Sequence, residues 1–250
     1  MIFPAGQLVL SEFRVYNDFI NLCKGVSPMT RQEIALLAVN ALKQEYPGAV
    51  CSLTYQKPLE LLIATRLSAQ CTDARVNMVT PALFARFPTL ESFCEGSEEE
   101  IAEYIRSCGL YKTKARDIFA MCHMLRDEFG GVVPDTVEEL TRLPGVGRKT
   151  ANLVVGDIYH KPAVVTDTHC IRITGRLGLT DSTNPLKVEK DLREVLPPEE
   201  SNDFCHRLVL HGRAVCDSRK PKCEACCMKS FCRYALSGGT IDPKKSAKSK

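Results

Sequence analysis

Tryptophan is absent from the 250-residue chain, and aromatic residues as a whole make up only 7% of it. The apolar runs, such as 61–64 and 153–155, are far shorter than the roughly 20 residues that a helix needs to cross a bilayer. Segments that alternate apolar and polar residues, as a half-buried strand does, reach at most about six residues. These deficits exclude a membrane-spanning protein and disfavour a β-rich fold.

The N-terminal segment lacks the basic run that precedes the apolar stretch of a secretory signal, and Glu12 and Arg14 interrupt that stretch. We therefore expect a cytoplasmic protein. Hydrophobic residues make up 44% of the chain and charged residues 25%, which is typical of a folded globular protein.

Cysteine is abundant, with thirteen residues. An odd number in a protein expected to stay in the cytoplasm argues against a disulfide framework. Eight cysteines are isolated in the sequence, where a small buried apolar side chain is the ordinary interpretation. The other five lie between Cys216 and Cys232, and this density indicates a metal or cluster site.

Positive charge is concentrated towards the C-terminus. Residues 206–250 carry eleven Lys and Arg against three acidic residues, whereas the whole chain has a net charge of only +3. Such a region suits a polyanion such as nucleic acid. Part of it is the Lys-rich segment 236–250, for which a solvated, flexible tail is the simpler interpretation.

Apolar residues recur at helical spacing along most of the chain and predict an all-α fold. In 114–129, six apolar residues share one stripe and two glycines follow as a stop. Ser97 with Glu100, and Thr136 with Glu139, have the spacing of a capping box, so each pair predicts a helix start. Further helices are predicted at 31–45, 58–70, 76–86, 148–159, 169–177, 185–195 and 201–213.

The segment Leu143-Pro-Gly-Val-Gly-Arg-Lys-Thr-Ala-Asn152 joins two predicted helices by a tight turn. Gly145 and Gly147 have no side chains, so the backbone can approach another surface closely. Unpaired N–H groups at the start of the next helix suit a phosphate oxygen, which favours binding to the DNA backbone without reading of its sequence. The segment can also be an ordinary turn. A nucleotide-binding P-loop is excluded because Arg148, rather than glycine, precedes Lys149.

Lys149 falls in the first turn of the next helix. The positive end of the helix dipole disfavours its protonated form, and a neutral amine beside a bound phosphate backbone can attack a sugar carbon. Eighteen residues further on, Asp167 ends an apolar stretch. A carboxylate there can stabilise an oxocarbenium-like sugar cation, although an Asp at this position can equally be the N-cap of the next helix.

The LPGVGRKTAN segment, with V-T-D-T-H after it, resembles the helix-hairpin-helix DNA glycosylases, and specifically the endonuclease III family of bifunctional glycosylases and AP lyases. The resemblance runs from about residue 30 to residue 234. It implies that Lys149 is the Schiff-base nucleophile and Asp167 the catalytic aspartate. It also implies a DNA-binding surface that contains the gap-filling Gln70, the wedge Leu110, and the hairpin residues Gly145, Val146, Gly147 and Arg148.

For two of these residues an ordinary role stays open. Gln70 can be an exposed polar residue without a special function, and Leu110 an apolar residue of a loop.

Four of the clustered cysteines have the pattern Cys216-x6-Cys223-x2-Cys226-x5-Cys232, with spacings short enough for one loop to wrap four thiolates around one centre. The spacing alone leaves a four-cysteine zinc site and a [4Fe-4S] cluster open. The resemblance favours the cluster, because the family has the same pattern as its cluster ligands. It leaves the adjacent Cys227 as a bystander.

The sequence and the resemblance together predict two helical domains with a DNA groove between them. Lys220 and Lys222, in the cysteine-rich loop, are expected to meet phosphates. The predicted parts are an N-terminal extension (1–29), an iron-sulfur domain (30–50 and 162–235), a six-helix barrel (51–161) with the helix-hairpin-helix at 136–159, and the tail (236–250).

The predicted activity is removal of oxidised pyrimidines from duplex DNA, and then strand cleavage 3′ to the abasic site by β-elimination. We expect a monomer at the nucleoid, with damaged or abasic double-stranded DNA as its partner and no membrane partner. Two alternatives stay open: an adenine glycosylase of the related branch that lacks the lysine nucleophile, and a non-catalytic or redox-sensing DNA-binding protein.

Overall fold

The structure is a computed structural model that describes residues 29–240. Across those residues the chain contains twelve α-helices, three short 3-10 turns and no strand, so the predicted all-α fold is confirmed. No helix in the described part is long and apolar enough to cross a membrane. Most of the predicted N-terminal extension and tail lies outside the described residues.

The helices, numbered along the described part of the chain, are α1 (Arg31–Glu45), α2 (Pro58–Ser68), α3 (Asp73–Arg86), α4 (Leu90–Glu95), α5 (Glu98–Tyr104), α6 (Tyr111–Glu128), α7 (Val137–Leu140), α8 (Arg148–Tyr159), α9 (Thr168–Leu177), α10 (Pro185–Val195), α11 (Ser201–Ala214) and α12 (Arg233–Leu236). The 3-10 turns are Arg106–Cys108, Pro198–Glu200 and Cys223–Ala225.

Local capping explains most of the helix bounds. Helices α1, α8 and α10 begin and end at the predicted residues. Helix α3 begins earlier than predicted, at Asp73, because the Thr72 hydroxyl caps it. Helix α2 ends at Ser68, two residues early, because the chain turns to a left-handed conformation at Gln70 (φ 55°). Helix α4, capped by Thr89, is missing from the prediction.

Both predicted capping positions are confirmed. The hydroxyls of Ser97 and Thr136 each accept a hydrogen bond from the backbone N–H three residues further on. The helix after Thr136 is a single turn, which places the hairpin directly after it.

Buried apolar side chains form two separate clusters among the described residues. The first runs from Leu53 to Ala163 and includes α2 to α8. The second combines residues 35–42 of α1 with residues between Val164 and Phe231. An amphipathic helix buries its apolar stripe against one core, so we propose that these clusters are the cores of the two predicted domains.

A buried carboxylate joins the two clusters. The Glu189 side chain, on α10, is 3% exposed and accepts hydrogen bonds from Arg148 Nε and Nη2 at 2.7 and 2.8 Å. It also accepts from Asn152 Nδ2 and Arg193 Nε, both at 3.2 Å. Because Arg148 opens α8, this network fixes the first turn of α8 against the second cluster.

The network sets the ionisation of Glu189. Burial raises the pKa of Glu189, but the hydrogen bonds and charges of Arg148 and Arg193 outweigh burial, so the pKa of this carboxyl lies below its ordinary value. A carboxyl with a lowered folded-state pKa contributes stability above its unfolded-state pKa. That contribution is lost as the pH falls through the folded-state pKa.

We expect Glu189→Gln to lower the free energy of unfolding at neutral pH by roughly 1–3 kcal/mol, because a charged hydrogen-bond acceptor is lost from a buried site. The variant should also lose less stability than the wild type between about pH 5 and pH 3, where an ordinary glutamate titrates. Urea unfolding across this pH range measures both effects. Glu194→Gln, an exposed position on the same helix, is the control; parallel pH profiles for wild type and Glu189→Gln would contradict the assignment.

Candidate active site

The hairpin between α7 and α8 presents unpaired backbone N–H groups. Gly145 has a left-handed backbone (φ 74°), and Gly147 is the N-cap of α8, where no side chain caps the helix. No described group accepts a hydrogen bond from the N–H of Arg148, Lys149 or Thr150. These groups, at the positive end of the helix dipole, are therefore available to an anionic ligand.

An ion pair from other helices fills the space beneath this hairpin. Arg66 Nη2 and Asp117 Oδ2 lie 2.6 Å apart, and each side chain is 14% exposed. A Cβ at Gly145 would lie 2.5 Å from Arg66 Nε. Glycine is therefore required there by both its backbone conformation and its packing.

The side chains of two other hairpin residues are held by contacts within the protein. Val146 is buried in the first cluster. The Arg148 guanidinium is engaged by Glu189, so the Arg148 N–H is the group that remains unpaired. Contact between the hairpin and DNA stays a prediction.

The charges of Lys149 and Asp167 both act on one histidine. Lys149 is exposed in the first turn of α8, and its Nζ forms no hydrogen bond or ion pair with any described residue. Burial lowers the pKa of His169, the Asp167 carboxylate opposes this effect, and cations that include Lys149 lower the pKa further. Lys149 acts on His169 from a helix of the first cluster, and Asp167 from the start of a helix of the second.

Asp167 is the N-cap of α9. Its Oδ1 accepts a hydrogen bond of 2.7 Å from the N–H of Cys170, so the capping role that the sequence left open is present. No described residue donates a hydrogen bond to Oδ2. One oxygen thus orients the side chain while the other remains available, and capping is compatible with a catalytic role.

His169 rests directly on α11. A Cβ at Gly212 would overlap His169 Nδ1, so the ring fills the space that a side chain would need. Arg172 Nη2 lies 3.0 Å from this nitrogen, and Arg172 Nε and Nη2 donate to the carbonyl oxygen of Cys216 at 3.2 and 3.0 Å. The helix that begins at Asp167 is thereby tied to the cysteine loop, residues 216–232.

Gln70 and Leu110 share an unusual backbone conformation. Both have positive φ, 55° and 48°, which few residues other than glycine adopt. Both side chains are exposed, that of Leu110 at 62%. Strained conformations of this kind often mark functional positions, but a contact of either residue with DNA stays a prediction.

The cysteine loop brings its thiols close to buried polar groups. Arg176 Nη1 donates to Cys216 Sγ at 3.3 Å, and His211 Nε2 lies 3.4 Å from Cys226 Sγ. Burial, and after it the charges of Cys216 and Cys226, raises the pKa of Cys223. All four predicted ligands are partly buried, whereas Cys227 is exposed. The contacts of Arg176 and His211 had no signal in the sequence.

No group of three or more His, Cys, Asp and Glu side chains within residues 29–240 is arranged to hold one metal ion. Lys220 and Lys222 are exposed on the cysteine loop. Lys222 Nζ donates to the carbonyl oxygen of Ala214 at 3.1 Å, and the Lys220 N–H donates to Asp217 Oδ1 at 3.1 Å. Their contact with DNA stays a prediction.

Comparison with known proteins places this arrangement in a superfamily. Residues 63–198, more than half of the chain, match the HhH-GPD superfamily of base excision DNA repair proteins. This match spans the hairpin, Lys149 and Asp167.

Individual relatives are more specific. The chain is 49% identical over 195 residues to endonuclease III of Synechocystis sp., covering 78% of this chain and 89% of the relative. It is 39% identical over 193 residues to endonuclease III of Escherichia coli K12, covering 77% and 92%. Its structure is similar to that of a trapped endonuclease III–DNA covalent intermediate, with a TM-score of 0.77, 42% identity, and coverage of 84% and 99%. The chain therefore belongs to the endonuclease III family, DNA glycosylases with AP lyase activity that act in base excision repair.

The contact between His169 and α11 predicts the outcome of Gly212→Ala. Alanine gains about 1 kcal/mol of helix propensity over glycine, but displacing a packed ring costs roughly 1–3 kcal/mol. We therefore expect a net loss of stability in urea unfolding. Gly48→Ala is the control, because nothing lies within 4 Å of a Cβ there and the backbone is not left-handed. A Gly212→Ala protein at least as stable as the control would show that the ring does not occupy this space.

Proposed function

We propose that the chain binds duplex DNA containing a damaged base or an abasic site, and that Lys149 and Asp167 carry out its chemistry. The observation that supports this most directly is that an amine without a described partner and a carboxylate with one oxygen free of described donors both act electrostatically on His169. Each residue comes from a different core cluster, so the reaction centre lies between the two proposed domains.

Binding starts with the sugar-phosphate backbone. The unpaired N–H groups at the start of α8 donate to phosphate oxygens, and Lys220 and Lys222 add charge that carries no sequence preference. The damaged nucleotide is extruded because its glycosidic carbon cannot be reached within the base stack. Gln70 and Leu110 then occupy the vacated space and the neighbouring stack.

The chemistry at the sugar is carried by the two side chains. Lys149 Nζ, as the neutral amine, attacks C1′; the glycosidic bond breaks, and the base leaves with the bonding electrons and takes up a proton from water. The ammonium formed at C1′ loses a proton to water, and the nitrogen lone pair then forms a C=N bond as the C1′–O4′ bond breaks. O4′ takes up a proton, which leaves an open-chain sugar joined to Lys149 as a protonated imine. Removal of a C2′ proton then expels the 3′ phosphate and cuts the strand. Asp167 Oδ2 stabilises positive charge at the sugar while the glycosidic bond breaks.

We propose that Cys216, Cys223, Cys226 and Cys232 hold a [4Fe-4S] cluster. A zinc ion needs its four thiolates on one atom, whereas in a cluster each cysteine binds a different iron, which allows wider spacing. The Cys-x6-Cys-x2-Cys-x5-Cys spacing, which resembles the ligand pattern of the endonuclease III family, supports the cluster over zinc. Arg176 Nη1 donates a hydrogen bond to Cys216 Sγ, and His211 Nε2 lies within hydrogen-bond distance of Cys226 Sγ, as the partners of metal ligands commonly do. When bound, the cluster crosslinks the loop and so keeps Lys220 and Lys222 in fixed positions.

Oxidised pyrimidines are the substrate class we propose, with the protein acting as a monomer in the cytoplasm at the nucleoid. The accessible amine of Lys149 argues against a glycosylase that works without a lysine nucleophile. It also argues against a protein that only binds DNA.

We expect borohydride to trap a covalent complex between the wild type and an abasic duplex, and Lys149→Gln to abolish both trapping and strand cleavage. Binding to the same duplex should remain, because the hairpin binds through backbone N–H groups that this substitution leaves intact. Gel analysis of trapped and cleaved products measures the first effect, and fluorescence anisotropy the second. Trapping that persists in Lys149→Gln would mean that another amine is the nucleophile.

Asp167→Asn separates base release from the later steps. It keeps an oxygen for the helix cap, so we expect folding to survive with a loss of at most about 1 kcal/mol. Base release from a lesion should fall sharply because the charge at the sugar is lost, while cleavage at a pre-formed abasic site should fall less. Equal losses on the two substrates would contradict a role in base release and would mean that Asp167 mainly caps the helix or prepares Lys149.

Metal analysis tests the cysteine loop. We expect about four irons per chain in wild-type protein, as one [4Fe-4S] cluster contains. Cys226→Ser should lose iron because a ligand is removed. Cys227→Ser, the adjacent exposed cysteine, should retain it. Stoichiometric zinc without iron in anaerobically prepared protein would contradict the proposal.

A further inference from the structure

Lys114, on α6, is a buried lysine that the reaction does not use. Its side chain is 0% exposed, and its Nζ donates to the carbonyl oxygens of Leu67 at 2.8 Å and Cys108 at 2.7 Å. Burial lowers the pKa of Lys114, and no carboxylate in the described part of the chain pairs with it. Burying an amine without an ionic partner lowers the stability of the fold. We therefore expect the two hydrogen bonds of Lys114 to be the reason for a lysine at this position.

The two carbonyls belong to the C-terminal ends of two helical segments. Leu67 lies in the last turn of α2, and Cys108 ends the 3-10 turn Arg106–Cys108. No described backbone N–H donates to either carbonyl. Such terminal carbonyls need partners, and a cation also interacts favourably with the negative end of a helix. Lys114 therefore caps two helix ends with one ammonium group.

A residue that the proposed function assigns to probing DNA lies just after each of these helix ends. Gln70 is three residues after Leu67, and Leu110 is two residues after Cys108. Both have a left-handed backbone, which places each side chain on a short, sharply turned segment. The segments from Leu67 to Gln70 and from Cys108 to Leu110 are too short to absorb a large displacement.

We propose that Lys114 is a positioning residue that fixes the separation between Gln70 and Leu110, so that both enter the base stack from a preset geometry. This inference rests on the proposed function, because it assigns Lys114 a purpose only if the two residues probe DNA. A preset geometry means that less ordering is needed when DNA binds, which favours extrusion of the damaged base. Lys114 is not a second nucleophile, since it is buried and already donates two hydrogen bonds.

The test compares two substrates with wild type and Lys114→Met, which keeps the side-chain length but removes the donors. One substrate is a duplex with a single thymine glycol, which must be extruded. The other is a single strand with an abasic site, which needs no extrusion. We expect kcat/KM for strand cleavage to fall about 10- to 100-fold on the duplex, as misplaced positioning groups typically cause, and to change less than about twofold on the single strand.

Two controls separate positioning from general destabilisation. Met121→Ala, also fully buried on α6, removes packing without releasing either carbonyl and should affect both substrates alike. In the Gln70→Ala, Leu110→Ala double variant, adding Lys114→Met should lower kcat/KM on the duplex little further. The effects of residues that act through one another are not additive. If Lys114→Met does not unfold cooperatively, Lys114→Gln, whose amide can donate to one carbonyl, is measured against the same criteria.

Equal losses of Lys114→Met on the two substrates, or an undiminished effect in the double-alanine background, would overturn the positioning role. Both results leave the proposed function intact, because wild-type cleavage reports on it separately. Wild-type protein that cleaves neither substrate would overturn the proposed function and this inference with it.

Discussion

An α-helix leaves the N–H groups of its first turn and the carbonyls of its last turn without partners, and in this protein the way each end is satisfied determines what the end does. The start of α8 has no side-chain cap and offers its N–H groups to an anion. The start of α9 is capped by one oxygen of Asp167, which leaves the other oxygen without a hydrogen-bond donor among the described residues. The ends of α2 and of the 106–108 turn are capped together by Lys114. Apart from the cysteine-loop lysines, the groups assigned to DNA and to the sugar therefore lie at or just beyond helix ends, while the helix faces form the two cores.

A site assembled from helix ends needs those helices held at fixed positions across two cores. Glu189 provides one such connection, because it binds the arginine that opens α8 from a helix of the second cluster. Within the second cluster, Arg172 joins His169 to the carbonyl oxygen of Cys216 and so fixes α9 against the cysteine loop. Buried charges are costly to leave unpaired, so the Glu189 network favours one relative arrangement of the clusters over alternatives.

The sequence predicts features that depend on neighbouring residues. Helical periodicity and Ser or Thr caps locate most helices, and α1, α8 and α10 have the predicted bounds. The early end of α2 and the left-handed turn at Gln70 were not predictable, because tertiary contacts hold them. The same holds for the partners of Arg66 and Arg148, which lie 51 and 41 residues away in sequence. For the candidate site, sequence and family resemblance predict Lys149 and Asp167, while the contacts of His169, Gly212 and Arg172 emerge only when α9 and α11 are seen packed together.

The layout of the two cores has a consequence for the order in which the chain acquires its structure. The first core is continuous in sequence and is complete once residue 163 has been synthesised, whereas the second unites α1 with residues 164–231. Domains generally fold as units during synthesis. Helix α1 therefore has no packing partners from the second core until the intervening segment has been synthesised. A nascent chain at that stage already has the hairpin and its amine but lacks the carboxylate beside them. In the proposed mechanism, the capacity to cut DNA therefore arises only after Asp167 and the rest of the second core have been added.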